Sequence, residues 1–445
     1  MSFRNLISEN IILPLSDLLT GQHVHKYFKF LKTTDTWTRQ QIDDYQNERL
    51  RMLVKHAVAN VPYYRDLFQQ LGLTADDIQT KDDLHKIPIV DKSIMRKEGL
   101  ERFTAEGFPK KEMRFDRSSG STGEPFNSYT TQDAYSFNLA AKLRTWYKNG
   151  YRLGDKYVKL SQRLRKSKIK KLQDKVNRCL YIPVEEASDE RLYNALKMIE
   201  SYKPDIIRGY PSTILFLAQC RQIHPEFKHY PKWIATTGEQ LPAKMRETIE
   251  TTFHCKMLDS YSCEGNSNVG ECVGNNCYHV TEEYGITEVL DDDGNLVKNG
   301  VGHVVTTDLW NFAHPFIRYN TQDLVEVSTE PCPCGSQHLR INSIIGRSSE
   351  NIIAVNGCRY TTQTFSIFFT DSNSPLGKSV DGYQIVQKKD GSVLFKVVAN
   401  ENFNETQKQY IIDYWTPLFE KPVNVELVEK LPLTKTNKWL SIINE

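Results

Sequence analysis

Apolar side chains recur at helical spacing through residues 40–70. Leu50, Leu53, Val54, Ala57, Val58 and Val61 fall on one stripe, and Pro62 ends the pattern. Segment 87–98, IPIVDKSIMRKE, reads as a loop entering a second helix, with Asp91 placed to cap it. Residues 131–149 are again helical and carry Trp146 and Tyr147. The pattern then changes. DIIRGYP at 205–211 and KWIATTGEQLP at 232–242 each read as a short buried strand running into a glycine turn, with an amphipathic helix after it. That alternation predicts a parallel sheet covered by helices, with sites at the carboxyl ends of its strands. From 279 to 327 the chain reads as short strands and turns. The acidic cluster DDDGN at 291–295 lacks the spaced ligands and final Glu of a calcium loop, which leaves a hairpin turn. The last hundred residues predict an α+β unit, with strands near 351–355, 383–388 and 393–399, a helix at 404–419 and a strand at 422–428.

A chain of 445 residues implies more than one domain, and 39% apolar with 25% charged residues is globular composition. The formal charge of +2 excludes a general nucleic-acid binder. No apolar run approaches the ~20 residues that cross a bilayer. The opening MSFRNLISENIILPLSDLL is interrupted by Glu9, Pro14 and Asp17 and lacks a signal peptide's cationic start and cleavage site, so a cytoplasmic location is expected. Nine cysteines then read as free thiols or metal ligands. The segment 163–178 is basic, with Arg163, Arg165, Lys166, Lys168, Lys170 and Lys171 close together. It reads as a solvated helix face or, alternatively, as a contact for an anionic membrane or a phosphorylated substrate.

DRSSGSTGEPFNS, at 116–128, leaves a row of backbone amides uncovered. Ser118, Ser119, Gly120, Ser121, Thr122 and Gly123 form a donor-rich concavity suited to phosphate, and equally a plain surface turn. It is not the common phosphate loop, because only two residues separate Gly120 from Gly123 and Glu124 follows.

Five further segments follow in order: TTGEQLP at 236–242, DSYSCEG at 259–265, RYNTQDL at 318–324, GRSSENI at 346–352 and LPLTKTNKW at 431–439. Together with the loop, the series resembles the adenylate-forming, or acyl-CoA synthetase, superfamily. LVKHAVANVPYYRDLF at 53–68 and KIPIVDK at 86–92 resemble the branch of phenylacetate–coenzyme A ligases and CapK-like capsular polysaccharide biosynthesis proteins. The resemblance implies an α/β fold. A large N-terminal ATP- and substrate-binding domain at 1–345 would hold helix-covered, mainly parallel sheets and a β-rich subdomain. A small mobile α+β domain would occupy 346–445.

It also implies a reaction and a set of roles. A small carboxylic acid attacks the α-phosphate of ATP, releases pyrophosphate, and the acyl group passes by default to coenzyme A. Residues 118–123 would hold the outgoing phosphates, and Glu264 would coordinate Mg²⁺. Gly238 and Glu239 would border the adenine, Tyr261 would pack on it, Asp323 would bind the ribose hydroxyls, and Arg347 would contact ribose or phosphate. Lys438 would place a cation beside the charge that develops on the reacting groups.

Departures from the usual pattern stand at Glu124, Asn320, Gln322, Ser349 and Asn437. They keep two other readings open: transfer to a sugar or protein acceptor in surface polysaccharide synthesis, and a weakened nucleotide-binding protein. A serine hydrolase read from GYPS at 209–212 lacks the nucleophile elbow. Finally, Cys272, His279, Cys332 and Cys334 form a Cys₃His set of structural-zinc type, with Cys277 and His338 as alternative ligands.

Overall fold

Thr38 opens the helix that the apolar stripe predicts. Its hydroxyl accepts the amide of Gln41, the Gln41 side chain accepts the amide of Thr38, and the helix runs Arg39–Asn60. Pro62 ends that pattern as expected. It starts a second helix, Pro62–Leu71, at the first position, where a missing N–H forfeits no bond. Asp91 caps Lys92–Glu98 as expected, accepting the Ile94 amide at 2.9 Å. These helices share one core in which Leu53, Tyr64, Phe68 and Val90 meet Ile317 and Tyr319.

The computed structural model describes residues 2–445 except 119–125, 162–163, 166, 185–188, 264–268, 273, 276, 348–351, 356–358, 361–364, 366–367, 370–374, 377–378 and 433–439, with backbone alone at 117, 118, 126, 347 and 359. A hairpin of β1 (Met113–Ser118) and β2 (Phe126–Thr131) brackets the Ser/Gly loop and leads into the helix Gln132–Lys148. Five strands then pair in parallel: β3 (Tyr157–Ser161), β4 (Cys179–Pro183), β5 (Ile206–Gly209), β6 (Trp233–Thr237) and β7 (Lys256–Tyr261). Six more continue the same sheet in antiparallel pairing: β8 (Val269–Cys272), β9 (Cys277–His279), β10 (Gly285–Leu290), β11 (Gly300–Asp308), β12 (Tyr319–Ser328) and β13 (Arg340–Arg347). The strand order is β10-β11-β12-β13-β9-β8-β7-β6-β5-β3-β4, so the β-rich part extends the parallel sheet instead of standing apart from it.

Alternation along the strands decides what covers each face. Val158, Leu160, Ile207, Ile234 and Met257 pack against the helices Asp189–Tyr202, Pro211–Ile223 and Ala243–Phe253. On the other face Ile206, Trp233, Ala235 and Leu258 meet Trp146 of Gln132–Lys148. DDDGN is the expected turn, with Asp291 Oδ1 accepting the amides of Asp293 at 3.0 Å and Asn295 at 2.8 Å.

The last hundred residues gather a core of their own, where Phe365, Phe395, Ile411, Trp415 and Phe419 meet. Two short strands, β14 (Ile352–Ile353) and β15 (Arg359–Tyr360), precede a four-stranded sheet of β16 (Val380–Gln387), β17 (Val393–Ala399), β18 (Val423–Leu427) and β19 (Ile442–Asn444) in the order β18-β17-β16-β19. The helix Glu405–Phe419 joins β17 to β18.

Residues 3–20 are helical, although polar interruptions in the sequence gave no such sign. Phe3–Ile7 runs through one π-turn, Ser8–Ile12, into Leu13–Thr20. Among the described residues no helix is long and apolar enough to cross a membrane.

Candidate active site

β6 ends in a turn that only glycine fits. Gly238 has φ +82°, and a Cβ there would lie 2.9 Å from Cε1 of Tyr210. Glu239 turns back onto the next helix, its Oε2 accepting the Ser212 amide at 2.9 Å in the first turn of Pro211–Ile223. A carboxylate at that end also complements the helix dipole. Gln240 links three parts of the chain. Its Nε2 donates to the Ile345 carbonyl at 3.1 Å, and its Oε1 accepts from Ser441 Oγ at 3.1 Å.

β7 ends beside it at Tyr261, whose hydroxyl donates to Asp323 Oδ2 at 2.5 Å. Burial first, then the Asp323 charge, hold this phenol well above its ordinary range, so it remains a donor. Asp323 lies directly opposite Arg347 in the β12–β13 pairing. The residue before it, Gln322, keeps a left-handed backbone with φ +65°. Asn320 Oδ1 accepts the Gln322 amide at 2.8 Å and Thr321 Oγ1 accepts the Asp323 amide at 3.1 Å, which fixes that turn. The glycine-type backbone therefore persists with Gln in place, and Asn320 shapes the loop that presents Asp323. Segment 86–92 docks here too, the Asn320 amide donating to the Val90 carbonyl at 2.8 Å.

A buried polar layer supports these strand ends. Asp259 accepts from Thr236 Oγ1 at 2.8 Å and Tyr278 Oη at 3.1 Å, and Glu271 accepts the Asp259 amide at 2.7 Å while pairing with Arg246 at 3.0 Å. Burial pushes the Asp259 carboxyl above its usual value. Sequence reasoning missed Gln240, Asp259, Tyr278 and Arg246. Gln240 and Asp259 sit inside the quoted motifs, but their partners lie on distant strands.

Of the expected residues, Gly238, Glu239, Tyr261 and Asp323 converge with the backbone of Arg347 at one end of the sheet. Ser118 ends β1, opposite Phe126. Ser119, Gly120, Ser121, Thr122, Gly123, Glu264 and Lys438 lie outside the described residues, as do Glu124, Ser349 and Asn437.

The cysteines also assemble, with one change of partner. Sγ atoms of Cys272, Cys277 and Cys332 and a His279 ring nitrogen all lie within 4.8 Å of one another. Cys277, the alternative ligand, is buried opposite Cys272 on β9, and the expected Cys334 is exposed at the rim, 3.2 Å from His279 Nε2 and within hydrogen-bond reach of Cys272 and Cys332. His338 instead faces Glu282 and Glu283 at 3.6 and 3.5 Å. Sulfur separations of 3.6 Å (Cys277–Cys332) and 3.9 Å (Cys332–Cys272) bracket the ~3.8 Å edge of a tetrahedron with Zn–S bonds of about 2.3 Å. The donor set fits zinc.

No family model matches the chain. Among solved structures, a 2-hydroxyisobutyryl-CoA ligase in the postadenylation state superposes with a TM-score of 0.74 at 18% identity, over 92% of this chain and 91% of that one. The fold is therefore that of the adenylate-forming acyl-CoA ligases. The sequence of a Pseudomonas putida phenylacetate–coenzyme A ligase is 30% identical over 339 residues, 73% of this chain and 74% of that protein. A Thermus thermophilus phenylacetate–coenzyme A ligase is 26% identical over 398 residues, 83% and 84% of the two chains. The chain belongs to the phenylacetate–coenzyme A ligase family.

Proposed function

We propose that the protein joins a carboxylic acid to AMP and then transfers the acyl group to coenzyme A. A carboxylate oxygen attacks the α-phosphorus of ATP and the bond to the β-phosphate breaks, releasing pyrophosphate. The thiolate then attacks the acyl carbon and AMP leaves. The 30% identity to a phenylacetate–coenzyme A ligase across three-quarters of both chains carries this reading. Asp323, braced by Tyr261, binds the ribose, and Gly238 and Glu239 border the adenine. Arg347 would contact ribose or phosphate, residues 118–123 would hold the outgoing phosphates, and Lys438 would place a cation beside the reacting carboxylate and α-phosphate. Mg²⁺, held by Glu264, would neutralise phosphate charge. We assign residues 346–445 as the unit that moves between the two steps, with Gln240 and Ser441 fastening it for the first. Pyrophosphate release with ATP, Mg²⁺ and a panel of acids, with and without coenzyme A, tests the reaction. Release with one acid class and thioester formation with coenzyme A support it. Adenylation without thioester would move the acceptor to a sugar or protein, and ATP binding without release would leave a nucleotide-binding protein. Structural zinc belongs on Cys272, Cys277, His279 and Cys332, where it ties β8–β9 to the loop before β13.

The same proposal sets the protein in the cytoplasm against an anionic membrane surface. The helical segment 3–20 is inside out. Asn5, Ser8, Glu9 and Asp17 are buried, whereas Phe3, Leu18 and Leu19 are 79%, 80% and 85% exposed. Its polar residues fasten it to the body: Asn5 Nδ2 donates to the Leu153 carbonyl at 2.9 Å, Glu9 pairs with Lys32, and Asp17 Oδ2 accepts the His25 amide at 2.7 Å. On the other side of the 153–155 turn, Arg178 donates to the Gly154 carbonyl at 2.9 Å just after the helix Lys168–Val176. That helix exposes Ile169, Leu172 and Val176 on one stripe, with Lys168, Lys170, Lys171 and Lys175 also exposed. Two apolar helical faces accompanied by lysines match an anionic lipid interface. Cosedimentation with phosphatidylglycerol vesicles should be lost on Leu18→Ser/Leu19→Ser and weakened by Lys170→Glu/Lys171→Glu. Failure of the parent protein to bind at low salt would overturn the assignment, and self-association through these faces would make them a protein interface.

A further inference from the structure

Three cations gather on one face of the parallel strands that lead to this site. Lys159 and Arg208 are direct neighbours on the parallel strands β3 and β5, so both side chains leave the sheet on the same face. The Arg208 guanidinium lies 5.9 Å from the Trp146 ring. Lys142 stands one turn before Trp146 on Gln132–Lys148, on the same side of that helix. All three residues are half-buried.

Among the described residues, no Asp or Glu forms an ion pair with any of them. Asp174, whose charge acts on Lys159, is itself paired with Arg165 at 2.8 Å. Repulsion from Arg208, then burial, keeps the Lys142 ammonium well below its ordinary range. Burial, then Arg208, brings Lys159 down to about 8. Neutral side chains of similar length would avoid this repulsion and desolvation, so folding alone gives no reason for three uncompensated cations. Their position supplies one. Arg208 is followed by Gly209 and Tyr210, and the Tyr210 ring packs under Gly238 of the adenine turn. On that face of the sheet they border the buried aromatic and apolar cluster of Trp146, Tyr151, Trp233 and Leu258. Cations beside apolar side chains suit an anion presented on a carbon skeleton.

We propose that Lys142, Lys159 and Arg208 bind a second anionic group on the acid substrate, a carboxylate or phosphate at the end remote from the carboxyl that is activated. This rests on the acid-activation reading above. Three cations around one oxyanion neutralise one another's repulsion through it, so binding relieves a cost already present in the free protein. Arg208 supplies a planar fork for two oxygens and the lysines act as point charges. An uncharged acid would leave all three unpaired, which turns the cluster into a filter against simple fatty and aryl acids.

ATP–pyrophosphate exchange without coenzyme A tests this with matched acids: butyrate against succinate, benzoate against phthalate, and glycerate against 3-phosphoglycerate. The expected result is a kcat/KM at least 100-fold higher for the doubly charged member of one pair. In Arg208→Met and Lys142→Met that preference should collapse at least tenfold, mainly through KM for the dianion. Lys142→Met should also melt higher than the parent, which separates lost recognition from misfolding. Preference for the uncharged member, unchanged in both variants, would overturn the proposal while leaving acid activation intact. If no acid supports exchange, the acid-activation reading fails. Calorimetric binding of inorganic phosphate and succinate then decides the cluster alone: binding abolished in Lys142→Met sustains an oxyanion site, and none in the parent overturns it. A rise in KM for coenzyme A but not dephospho-coenzyme A in Arg208→Met would assign the oxyanion to that cofactor and overturn the proposal.

Discussion

Ser441 Oγ donates a hydrogen bond to Gln240 Oε1 at 3.1 Å, tying the start of the terminal strand to the glycine turn of the nucleotide site. The other end of the same amide reaches the Ile345 carbonyl at 3.1 Å, at the expected boundary between 1–345 and 346–445. Gly346, with φ +113°, makes room for it, since a Cβ there would lie 1.9 Å from Gln240 Nε2. Gln240→Ala removes two neutral hydrogen bonds of about 1 kcal/mol each, which should slow acyl-adenylate formation roughly 10-fold or more. Thioester formation from added acyl-adenylate should be spared. Gly346→Ala should displace the same amide and reproduce the defect, and the double variant should be less than additive. Equal loss in both half-reactions would show that the contact only stabilises the fold.

Gln384 closes the ends of the segment that carries Lys438. Its Nε2 donates to the Pro432 carbonyl at 3.3 Å and the Leu440 carbonyl at 2.9 Å, the residues flanking 433–439. Gln384→Leu should lower the adenylation rate about tenfold by releasing that segment, a loss of roughly 1–2 kcal/mol. Single-turnover pyrophosphate release measures it. A variant with unchanged adenylation would detach Lys438 from this arrangement.

Tyr261→Phe leaves Asp323 without its phenolic donor. A hydrogen bond to a charged group contributes about 1.5–3 kcal/mol, and water replaces part of it in an open site, so KM for ATP should rise about tenfold with kcat little changed. Asp323→Ala removes the acceptor itself and should cost roughly 100-fold in kcat/KM for ATP. Steady-state kinetics in ATP distinguish the two. A fall in kcat alone for Tyr261→Phe would give the phenol a role in chemistry.

Motifs that are local in sequence were legible because their geometry is local as well. The Asp91 cap, the DDDGN turn and the Gly238 turn each depend on a few consecutive residues. What depends on register was not. Pro62 stops one helix, as its sequence says, and also starts the next, with the extended Val61 before it serving as N-cap of Pro62–Leu71. The segment 3–20 hides its helix because its polar residues face inward, reversing the usual pattern. Cys277 joins the tight metal set because β8 and β9 pair Cys272 with Cys277, a fact of strand register. Lys159 and Arg208 are far apart in sequence and meet only across β3 and β5.

That register makes a prediction about metal content. One zinc per chain should be measured by atomic emission, and Cys272→Ser or Cys277→Ser should lose it, because each removes one of three close thiolates. Cys334→Ser should retain it. Stripping zinc with a strong chelator should lower Tm by roughly 10 °C, since metal binding to the folded state is folding free energy. Zinc lost from Cys334→Ser but kept by Cys277→Ser would reverse the ligand assignment.

A buried ion pair contributes to the acid limit of stability, beside the neighbouring Glu282, whose carboxyl is also held down to about 2. Arg144 Nη1 lies 2.5 Å from Glu283 Oε1, and Thr34, Thr281, Asp35 and His338 surround the pair. Burial opposes ionisation of Glu283, but the Arg144 and His338 charges and the hydrogen bonds from Arg144 and Thr34 outweigh it and hold the carboxyl down to about 2. A depressed carboxylate contributes stability that is complete above its ordinary value of 4.5 and is lost as pH falls from 4.5 toward 2. Urea midpoints should therefore decline steeply below pH ~5. Arg144→Met should cost about 3–5 kcal/mol at pH 7, because it strands a buried charge. In that variant burial prevails and raises the Glu283 carboxyl, so its contribution changes sign and stability recovers as pH falls. Glu283→Gln should flatten the acid decline and melt above Arg144→Met at pH 7. Parallel acid declines in the parent and Glu283→Gln would assign the titration to a different carboxylate.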